Sequence, residues 1–303
     1  MASPHIAFLG IGLMGAPMVQ NLLVAGFPMT LWNRTASKCE PFAGRAQIAQ
    51  SPAQAVADAD IIITMLENGG VVESVLVEQG AMATVKAGAV VIDMSSVQPS
   101  LARSHAEHAA AQGAGYLDAP VSGGTRGAEA GTLSIMVGGE ADTLRQARPV
   151  FDALGKVTHI GPAGAGQLAK LANQAIVGIT IGAVSEALLL AARGGADPVA
   201  VREALLGGFA GSKILEQHGE RMIERDFAPG APARIQLKDL RMILDEARAE
   251  GLTLPLSQQV YSGYLSLVAN GHGDVDHSGL LLELEHVNGA RLGGDRGKVS
   301  ERE

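Results

Sequence analysis

The sequence has few of the residues that stabilise small secreted domains or bind nucleic acids. Cys39 is the single cysteine among 303 residues, which excludes an intrachain disulfide and fits a reducing compartment. Aromatic residues make up only 3% of the chain, so few rings are present on which nucleobases could stack. Lys and Arg number 23 against 31 for Asp and Glu, and the resulting net charge of −8 repels a phosphate backbone. We therefore expect no nucleic-acid partner.

Long uncharged apolar runs are also missing. The most apolar stretch, residues 175–192, contains Glu186, whereas a membrane span needs about 20 residues without charge. Residues 1–5 carry no basic cluster, and they show no signal-peptide pattern. We interpret the apolar stretch as a buried helix and expect a cytoplasmic protein with no membrane partner.

The chain is rich in apolar residues, at 47%, and in glycine, with 39 residues, nearly twice the ordinary share of about 7%. Up to about residue 160, short β-branched runs alternate with helical patterns, which is the rhythm of strand–helix–strand units around a parallel sheet. The predicted strands are residues 5–9, 29–32, 61–65, 90–93, 115–119, 133–137 and 157–160. The helices predicted between them are residues 13–25, 71–77, 99–112 and 141–154.

After a glycine-rich stretch at residues 161–166, the strand patterns stop and helical patterns continue to about residue 288. The first of these helices runs from residue 167 to about residue 193, and Asp197 followed by Pro198 predicts the start of the next. We therefore predict an α/β fold in which an N-terminal Rossmann doubly wound domain, residues 1–162, is joined by a long helix to an all-α C-terminal domain, residues 163–290. Residues 291–303 are predicted to form a flexible tail.

A glycine-rich turn directly follows the first predicted strand and opens the first predicted helix. Its three glycines permit a tight bend, a close approach of the backbone to a pyrophosphate, and close packing of helix on strand. The helix N-terminus adds amide donors and a partial positive charge. The alternative is an ordinary glycine-rich turn, but the flanking elements favour a dinucleotide site formed by Gly10, Gly12, Leu13, Met14 and Gly15.

The residues after the second predicted strand, Asn33, Arg34 and Thr35, indicate which dinucleotide binds. A fold of this kind that binds NAD has Asp or Glu here, and that carboxylate accepts a hydrogen bond from the ribose 2′-hydroxyl. Arg34 has the opposite charge, and a guanidinium with two hydrogen-bonding neighbours suits a 2′-phosphate. NADP(H) is therefore the preferred cofactor, with NAD(H) possible. The alternative is an arginine in a solvated surface loop.

Two further patterns indicate a substrate site. Ser122, Gly123 and Gly124 follow a predicted strand, and their hydroxyl and amides could bind a carboxylate, although an ordinary turn fits the spacing equally well. Lys170 and Asn173 lie three residues apart, about 60° around one helix face, among apolar neighbours. A lysine against buried surface favours an active-site role, although a lysine at a helix edge is the commoner case. The histidines show no spacing typical of a metal site, and we predict no metal.

Five motifs occur in order along the chain, namely GIGLMGAPM (10–18), DAPVSGG (118–124), GTLSIMVGG (131–139), GAGQLAKLANQ (164–174) and KDL (238–240). In this succession the sequence resembles the β-hydroxyacid dehydrogenase family, which includes 3-hydroxyisobutyrate dehydrogenase, tartronate semialdehyde reductase and related semialdehyde reductases. The resemblance covers residues 5 to about 288. Ordered motifs at consistent spacing are far more specific than any one of them.

The resemblance implies an activity and roles for individual residues. The activity is a reversible, NADPH-dependent reduction of a small carboxylate semialdehyde to the hydroxyacid. Lys170 would be the catalytic acid and base, and the substrate would be held by Ser122, Gly123, Gly124 and Asn173. Lys238 would contact the cofactor, and the nicotinamide side would be lined by Met65, Leu66 and Ser96.

Within the family, residues 207–212 and 276–278 look most like the tartronate semialdehyde reductase branch, which implies reduction of tartronate semialdehyde to glycerate. A 3-hydroxyisobutyrate dehydrogenase and a succinic semialdehyde or glyoxylate reductase are alternatives. Glu67 and Ala231 depart from the family pattern, where Pro and Phe are usual. A catalytically silent NADP-binding module and an imine reductase are further classes, and Lys170 argues against both. The apolar helices after residue 194 are too many to bury within one chain, which predicts a homodimer or homotetramer.

Overall fold

The computed structural model of the protein describes residues 3–293. Residues 294–303, most of the predicted tail, lie outside the described residues. The chain forms two compact units, of which the first ends at Lys170 and the second begins at Leu171. The described start of the predicted tail is packed, since Leu292 is buried and its amide donates a hydrogen bond to Glu285 at 2.6 Å.

A nine-stranded sheet forms the centre of the first unit. Its strands are β1 (Ile6–Leu9), β2 (Met29–Trp32), β3 (Gln47–Ile48), β4 (Ile61–Thr64), β5 (Val90–Asp93), β6 (Gly115–Asp118), β7 (Val121–Ser122), β8 (Leu133–Gly139) and β9 (Gly155–Gly161). The predicted strands are confirmed within two residues at each end. Only β3 and β7, of two residues each, were not predicted, because so short a segment carries no alternation to detect.

The strand order is β3-β2-β1-β4-β5-β6-β8-β7, with β9 paired to β8. The strands from β3 to β6 are parallel, whereas β8 runs antiparallel to β6 and β7. The chain leaves β1 toward β2 on one side and returns to β4 on the other. The carboxyl ends of β1 and β4 therefore flank the point where the strand order reverses, which is where open α/β sheets bind ligands.

Helices connect these strands, and they are α1 (Gly15–Val24), α2 (Pro52–Val56), α3 (Gly69–Glu73), α4 (Ala81–Thr84), α5 (Pro99–Ala111), α6 (Gly124–Ala130) and α7 (Ala141–Asp152). Ser51 and Asn68 cap α2 and α3 with their side-chain oxygens. A π-helical turn, Ser74–Glu78, continues α3. The short helices α2, α4 and α6 were not predicted, because one or two turns do not establish a helical period.

Both faces of the sheet are buried, which explains the continuously apolar strands. Ile6 and Phe8 of β1 pack into one apolar cluster, while Ala7 and Leu9 pack into the other. Successive side chains of a strand point to opposite faces, so a strand covered on both sides requires apolar residues at every position. The doubly wound α/β architecture predicted from these runs is confirmed.

Helix α8 (Ala165–Arg193) begins in the first unit and continues into the second. Among the described residues it is the one helix long and apolar enough to cross a membrane, with a mean hydropathy of 2.0 in its most apolar window. One third of that window is buried, at 33%, and a core helix of a folded domain meets the same criteria. The second unit continues with α9 (Pro198–Leu206), α10 (Lys213–Glu224), α11 (Ala233–Ala249), α12 (Pro255–Ala269) and α13 (Leu280–Asn288).

The second unit contains a buried carboxylate that joins its helices. Asp276, before α13, is fully buried. Its Oδ2 accepts hydrogen bonds from the amides of Gly230 and Ala231 at 3.1 and 3.2 Å and pairs with Arg221 of α10 at 3.0 Å. Its Oδ1 accepts from the amide and hydroxyl of Ser278 at 3.1 and 2.7 Å. One side chain therefore joins α10, the residues before α11 and the residues before α13.

Ionisation of Asp276 is favoured by these donors. Burial raises the pKa of Asp276, but the neighbouring His218, whose Nδ1 lies 3.5 Å from Oδ1, and the hydrogen bonds from Ser278 lower it more, and the net pKa is below its usual range. A carboxyl with a lowered pKa stabilises the folded protein above its unfolded pKa, near 4, and that contribution is lost as the pH falls through the folded value.

Asp276→Asn should lower the free energy of unfolding at neutral pH by about 3 kcal/mol, because an amide cannot replace the charge or accept from every donor. The loss should shrink as the pH falls below about 4. Urea unfolding at neutral pH and at a pH below about 4 measures both effects. Asp274→Asn is the matched control, since Asp274 is exposed and pairs with Arg234 at 2.9 Å, and its cost should stay under about 1 kcal/mol. Equal losses in the two variants would contradict the assignment.

Candidate active site

The glycine-rich turn lies between β1 and α1, at the point where the strand order reverses. Gly10 has φ +111°, and a Cβ there would lie 2.3 Å from the Met65 carbonyl oxygen and 2.9 Å from Leu66 Cδ2. A Cβ on Gly15 would lie 2.0 Å from the Gly10 carbonyl oxygen. The structure therefore brings the turn together with Met65 and Leu66, two residues predicted for the nicotinamide side, and requires glycine at both positions.

Gly12 differs from the other two glycines of the turn. A Cβ on Gly12 would meet nothing within 4 Å, and the neighbouring Leu13 side chain is 67% exposed. Met14 is the residue before α1, and no side chain caps this helix N-terminus, where the Ala16 amide donates to the Gly12 carbonyl at 3.0 Å. No packing within the described residues therefore explains the glycine, and the open backbone in front of a helix N-terminus fits the approach of a pyrophosphate.

The residues predicted for the 2′-phosphate follow β2, the strand beside β1. Asn33 Oδ1 accepts a hydrogen bond from the Ile11 amide at 2.9 Å, and its Nδ2 donates to the Thr35 carbonyl at 2.9 Å. The Asn33 side chain thus holds the glycine-rich turn in place. Arg34 and Thr35 are exposed beside it, so their side chains are accessible to a ligand seated on the turn.

Lys170 lies beside the Ser-Gly-Gly turn. Its Nζ donates a hydrogen bond to the Val121 carbonyl at 2.8 Å, and the residue is 9% exposed. Val121 directly precedes Ser122, so the structure brings Lys170 together with the turn predicted to bind a carboxylate. Gly123 and Gly124 have φ +137° and +61°, values that favour glycine, and a Cβ on Gly124 would meet nothing within 4 Å.

Ser96 lies in the segment after β5 and is half-buried. The preceding residue, Ser95, is buried and accepts a hydrogen bond from the Leu66 amide through its hydroxyl at 2.9 Å. The segments that follow β4 and β5 are therefore connected, and Ser96 lies next to the connection.

Asn173 and Lys238 belong to the second unit, and their predicted roles stay predictions. Asn173 is three residues after Lys170 on α8, and its Nδ2 donates to Gln174 Oε1 at 2.8 Å. Lys238 of α11 pairs with Asp239 at 3.1 Å. Of the two departures from the family pattern, Glu67 is exposed directly after Leu66, and Ala231 is half-buried.

Two buried polar residues of the site were not predicted. Asp118 accepts hydrogen bonds from the amides of Gly164 and Gln167, each at 2.8 Å. The Gln167 side chain donates to the Ser95 carbonyl at 2.8 Å and accepts from the Val97 amide at 3.1 Å. Both residues lie inside recognised motifs, and that position was the only signal available, because their partners are far away in sequence.

One histidine cluster bears on the predicted absence of a metal. Among the described residues, His218, Asp276 and His277 lie close enough to hold a metal ion. The oxygens of Asp276 already accept from several donors, and the two Nε2 atoms of the histidines lie 3.1 Å apart. Burial lowers the pKa of His277 to about 4. The absence of a metal stays a prediction.

Gly12→Ala should leave the fold intact and weaken dinucleotide binding. The added methyl group meets no protein atom but occupies the space before the turn, and overpacking costs about 1–3 kcal/mol. The Kd for NADPH should therefore rise about tenfold or more, as measured by fluorescence titration. Gly15→Ala is the contrasting variant, and it should lower the melting temperature, because its Cβ would collide with Gly10. Unchanged NADPH affinity in Gly12→Ala would contradict the site.

Two family matches cover most of the chain. Residues 5–161 match the family described as the NAD binding domain of 6-phosphogluconate dehydrogenase. Residues 164–284 match the family described as NAD-binding of NADP-dependent 3-hydroxyisobutyrate dehydrogenase. Both descriptions agree with a nicotinamide dinucleotide as the cofactor.

Relatives and solved structures agree with these matches. A 2-hydroxy-3-oxopropionate reductase of Escherichia coli (strain K12) is 43% identical and covers 95% of this chain and 99% of its own. A 3-hydroxyisobutyrate dehydrogenase of Pseudomonas aeruginosa is 38% identical and covers 91% and 95%. The structure of a Mycobacterium tuberculosis 3-hydroxyisobutyrate dehydrogenase with L-serine has a TM-score of 0.85 at 34% identity and covers 93% and 99%. The chain belongs to the β-hydroxyacid dehydrogenase family, whose members are NAD(P)-binding oxidoreductases that act on the hydroxyl groups of hydroxyacids.

Proposed function

We propose that the chain catalyses the reversible, NADPH-dependent reduction of a small carboxylate semialdehyde. The specific reaction that we propose is the reduction of tartronate semialdehyde to glycerate. The observation that carries the proposal is the buried Lys170, whose Nζ lies 2.8 Å from the Val121 carbonyl, next to Ser122. The relative named 2-hydroxy-3-oxopropionate reductase, at 43% identity, supports this substrate over 3-hydroxyisobutyrate, succinic semialdehyde and glyoxylate.

Substrate binding is assigned to the turn after β7. The hydroxyl of Ser122 and the amides of Gly123 and Gly124 are donors, and a carboxylate accepts from several donors at once. Asn173, three residues after Lys170 on α8, would hold the hydroxyl or carbonyl group. This arrangement selects substrates with a carboxylate close to the reacting carbon.

Proton transfer is assigned to Lys170. A bound reduced nicotinamide supplies the hydride that the aldehyde carbon accepts. As negative charge develops on the aldehyde oxygen, the Lys170 ammonium donates a proton to it and stabilises the charge. In the oxidative direction the neutral lysine takes the hydroxyl proton, so that direction should be faster at higher pH. No step requires a metal.

Cofactor preference is assigned to the segment after β2. The exposed Arg34 guanidinium offers paired donors to a 2′-phosphate, and Thr35 is exposed beside it. No carboxylate stands at residues 33–35 to accept from a ribose 2′-hydroxyl. NADP(H) is therefore preferred, and NAD(H) is possible.

Assembly and location complete the proposal. Large apolar side chains on α8 and α13 are exposed in the single chain, with Ile176 67%, Leu190 76% and Val287 66% accessible. Apolar surface of this kind supports a homodimer or homotetramer formed through the C-terminal helices. We propose a cytoplasmic location, which suits a free cysteine and a soluble hydroxyacid substrate.

Lys170→Ala should lower kcat by about 10²- to 10⁴-fold, the usual contribution of a general acid, while NADPH binding stays nearly intact. NADPH oxidation is followed with tartronate semialdehyde, methylmalonate semialdehyde, succinic semialdehyde and glyoxylate. Tartronate semialdehyde should have the highest kcat/KM in the unaltered protein. Lys86→Ala, which removes an exposed lysine paired with Asp60, is the control and should keep full activity. Retained turnover in Lys170→Ala would reject the assignment.

Arg34→Asp should reverse the preference for NADPH over NADH, because a carboxylate repels the 2′-phosphate and accepts from a 2′-hydroxyl. The ratio of kcat/KM for the two cofactors measures the change. Arg45→Asp introduces the same charge change at another exposed arginine of the first unit and should leave the ratio as it is. An unchanged ratio in Arg34→Asp would show that the 2′-phosphate binds elsewhere.

A further inference from the structure

The helix that carries Lys170 begins against the end of β6. Asp118, the last residue of β6, is fully buried and accepts hydrogen bonds from the amides of Gly164 and Gln167, each at 2.8 Å and each through a different carboxylate oxygen. These amides lie at the start of α8, where helical N–H groups lack partners within the helix. A carboxylate from a strand therefore caps the helix within two turns of its lysine.

Two glycines let the strand and the helix come this close. A Cβ on Gly166 would lie 2.5 Å from the Asp118 carbonyl oxygen. A Cβ on Gly138 would lie 2.5 Å from Asp118 Oδ1 and 2.7 Å from the Gly166 amide nitrogen. Any side chain at either position would push the helix away from Asp118. Glycine on the strand and glycine on the helix therefore both permit this contact.

Gln167 attaches the same helical turn to a second segment. Its side chain bonds the Ser95 carbonyl and the Val97 amide, and the residue is 1% exposed. Gln167 lies three residues before Lys170, on the same face of the helix. The first turn of α8 is therefore fixed to the segments after both β5 and β6, and Lys170 extends from that fixed turn.

We propose that Asp118 is a positioning residue: its carboxylate fixes the first turn of α8 and thereby sets the place of the Lys170 ammonium beside Ser122. The proposal rests on the function proposed above, since it concerns the proton donor of that reaction. Lys170 Nζ bonds the carbonyl of Val121, in the segment that Asp118 begins, so the lysine and the cap of its helix share one anchor. A displacement of about 1 Å at a reacting group can cost about 10²-fold in rate.

Ionisation decides whether both oxygens of Asp118 accept. Burial raises the pKa of Asp118 to about 6, and the amides of Gly164 and Gln167 oppose that rise. Asp118 and the start of α8 have four titratable or charged groups around them. These groups are Asp93 on β5, Tyr116 on β6, Arg103 on α5 and Lys170 on α8. Once Asp118 is protonated, one oxygen becomes a donor, and one amide of the helical turn loses its acceptor.

Asp118→Asn tests the proposal, because the amide keeps the shape of the side chain and one acceptor oxygen but does not ionise. In the unaltered protein, kcat for aldehyde reduction should fall about tenfold or more from about pH 8 to about pH 5. The midpoint should lie near the Asp118 pKa of about 6. In Asp118→Asn, kcat should stay from about pH 5 to about pH 8 at the low value that the unaltered protein has at about pH 5. Its Kd for NADPH should be unchanged, since the glycine-rich turn is not altered.

Asp60→Asn is the matched control. Asp60 belongs to the same unit and accepts a backbone hydrogen bond from His5 at 2.8 Å, but it precedes β4, at the end opposite Met65. This control should keep the unaltered kcat and pH profile. Full kcat in Asp118→Asn at about pH 8 would overturn the proposal. A fall of kcat toward acidic pH that persists in Asp118→Asn with the same midpoint would also overturn it. If Lys170→Ala is inactive and Asp118→Asn is unaffected, this proposal alone fails; if Lys170→Ala stays active, the proposed function fails as well.

Stability gives a second readout, because the contribution of Asp118 to stability and the value of kcat should change in opposite directions with pH. A carboxyl with a raised pKa stabilises the fold below its unfolded pKa, and that contribution is lost as the pH rises through the folded pKa. The melting temperature of the unaltered protein relative to Asp118→Asn should therefore fall from about pH 4 to about pH 7, while kcat of the unaltered protein rises. A relative melting temperature that rises with kcat would contradict the proposal. So would a flat kcat profile of the unaltered protein, a measurement that needs no variant.

Discussion

Two hydrogen bonds from backbone amides to the buried carboxylate of Asp118 attach the helix of Lys170 to the sheet of the first unit. The attachment is costly, because a charge is taken out of water and burial raises its pKa to about 6. A neutral side chain of the same size would avoid that cost but would accept only one amide. The charged carboxylate accepts both amides and thereby fixes the helical turn from which the Lys170 side chain extends, which explains why a charge is retained at this position.

The sheet topology determines which of the predicted site residues lie close together. The order of parallel strands reverses between β1 and β4, and the glycine-rich turn, Met65 and Leu66 lie at that reversal. The segments after β5 and β6 end at the same edge and carry Ser96 and the Ser-Gly-Gly turn. Residues from four separate parts of the sequence thus reach one edge, because parallel strands end in the same direction.

Periodicity was enough to predict the sheet and its long helices, and the resemblance to the family implied the grouping of Lys170 with the Ser-Gly-Gly turn. They could not assign Asn33, which was predicted as a phosphate ligand, to the hydrogen bond that holds the Ile11 amide. They also missed Asp118 and Gln167, whose partners lie about 45 to 70 residues away. A buried polar residue is defined by its partner, and a partner distant in sequence leaves no local pattern. The shortest elements, such as β7 and α6, were missed because they are too short to show a period.

The most direct measurement of the central claim is a crystal structure of the chain with NADP⁺ and glycerate bound. We expect Lys170 Nζ within about 3 Å of the substrate hydroxyl oxygen, with the carboxylate on the Ser122 turn and both Asp118 hydrogen bonds intact. A substrate oxygen bonded to another side chain, with the Lys170 ammonium directed away from it, would contradict the claim.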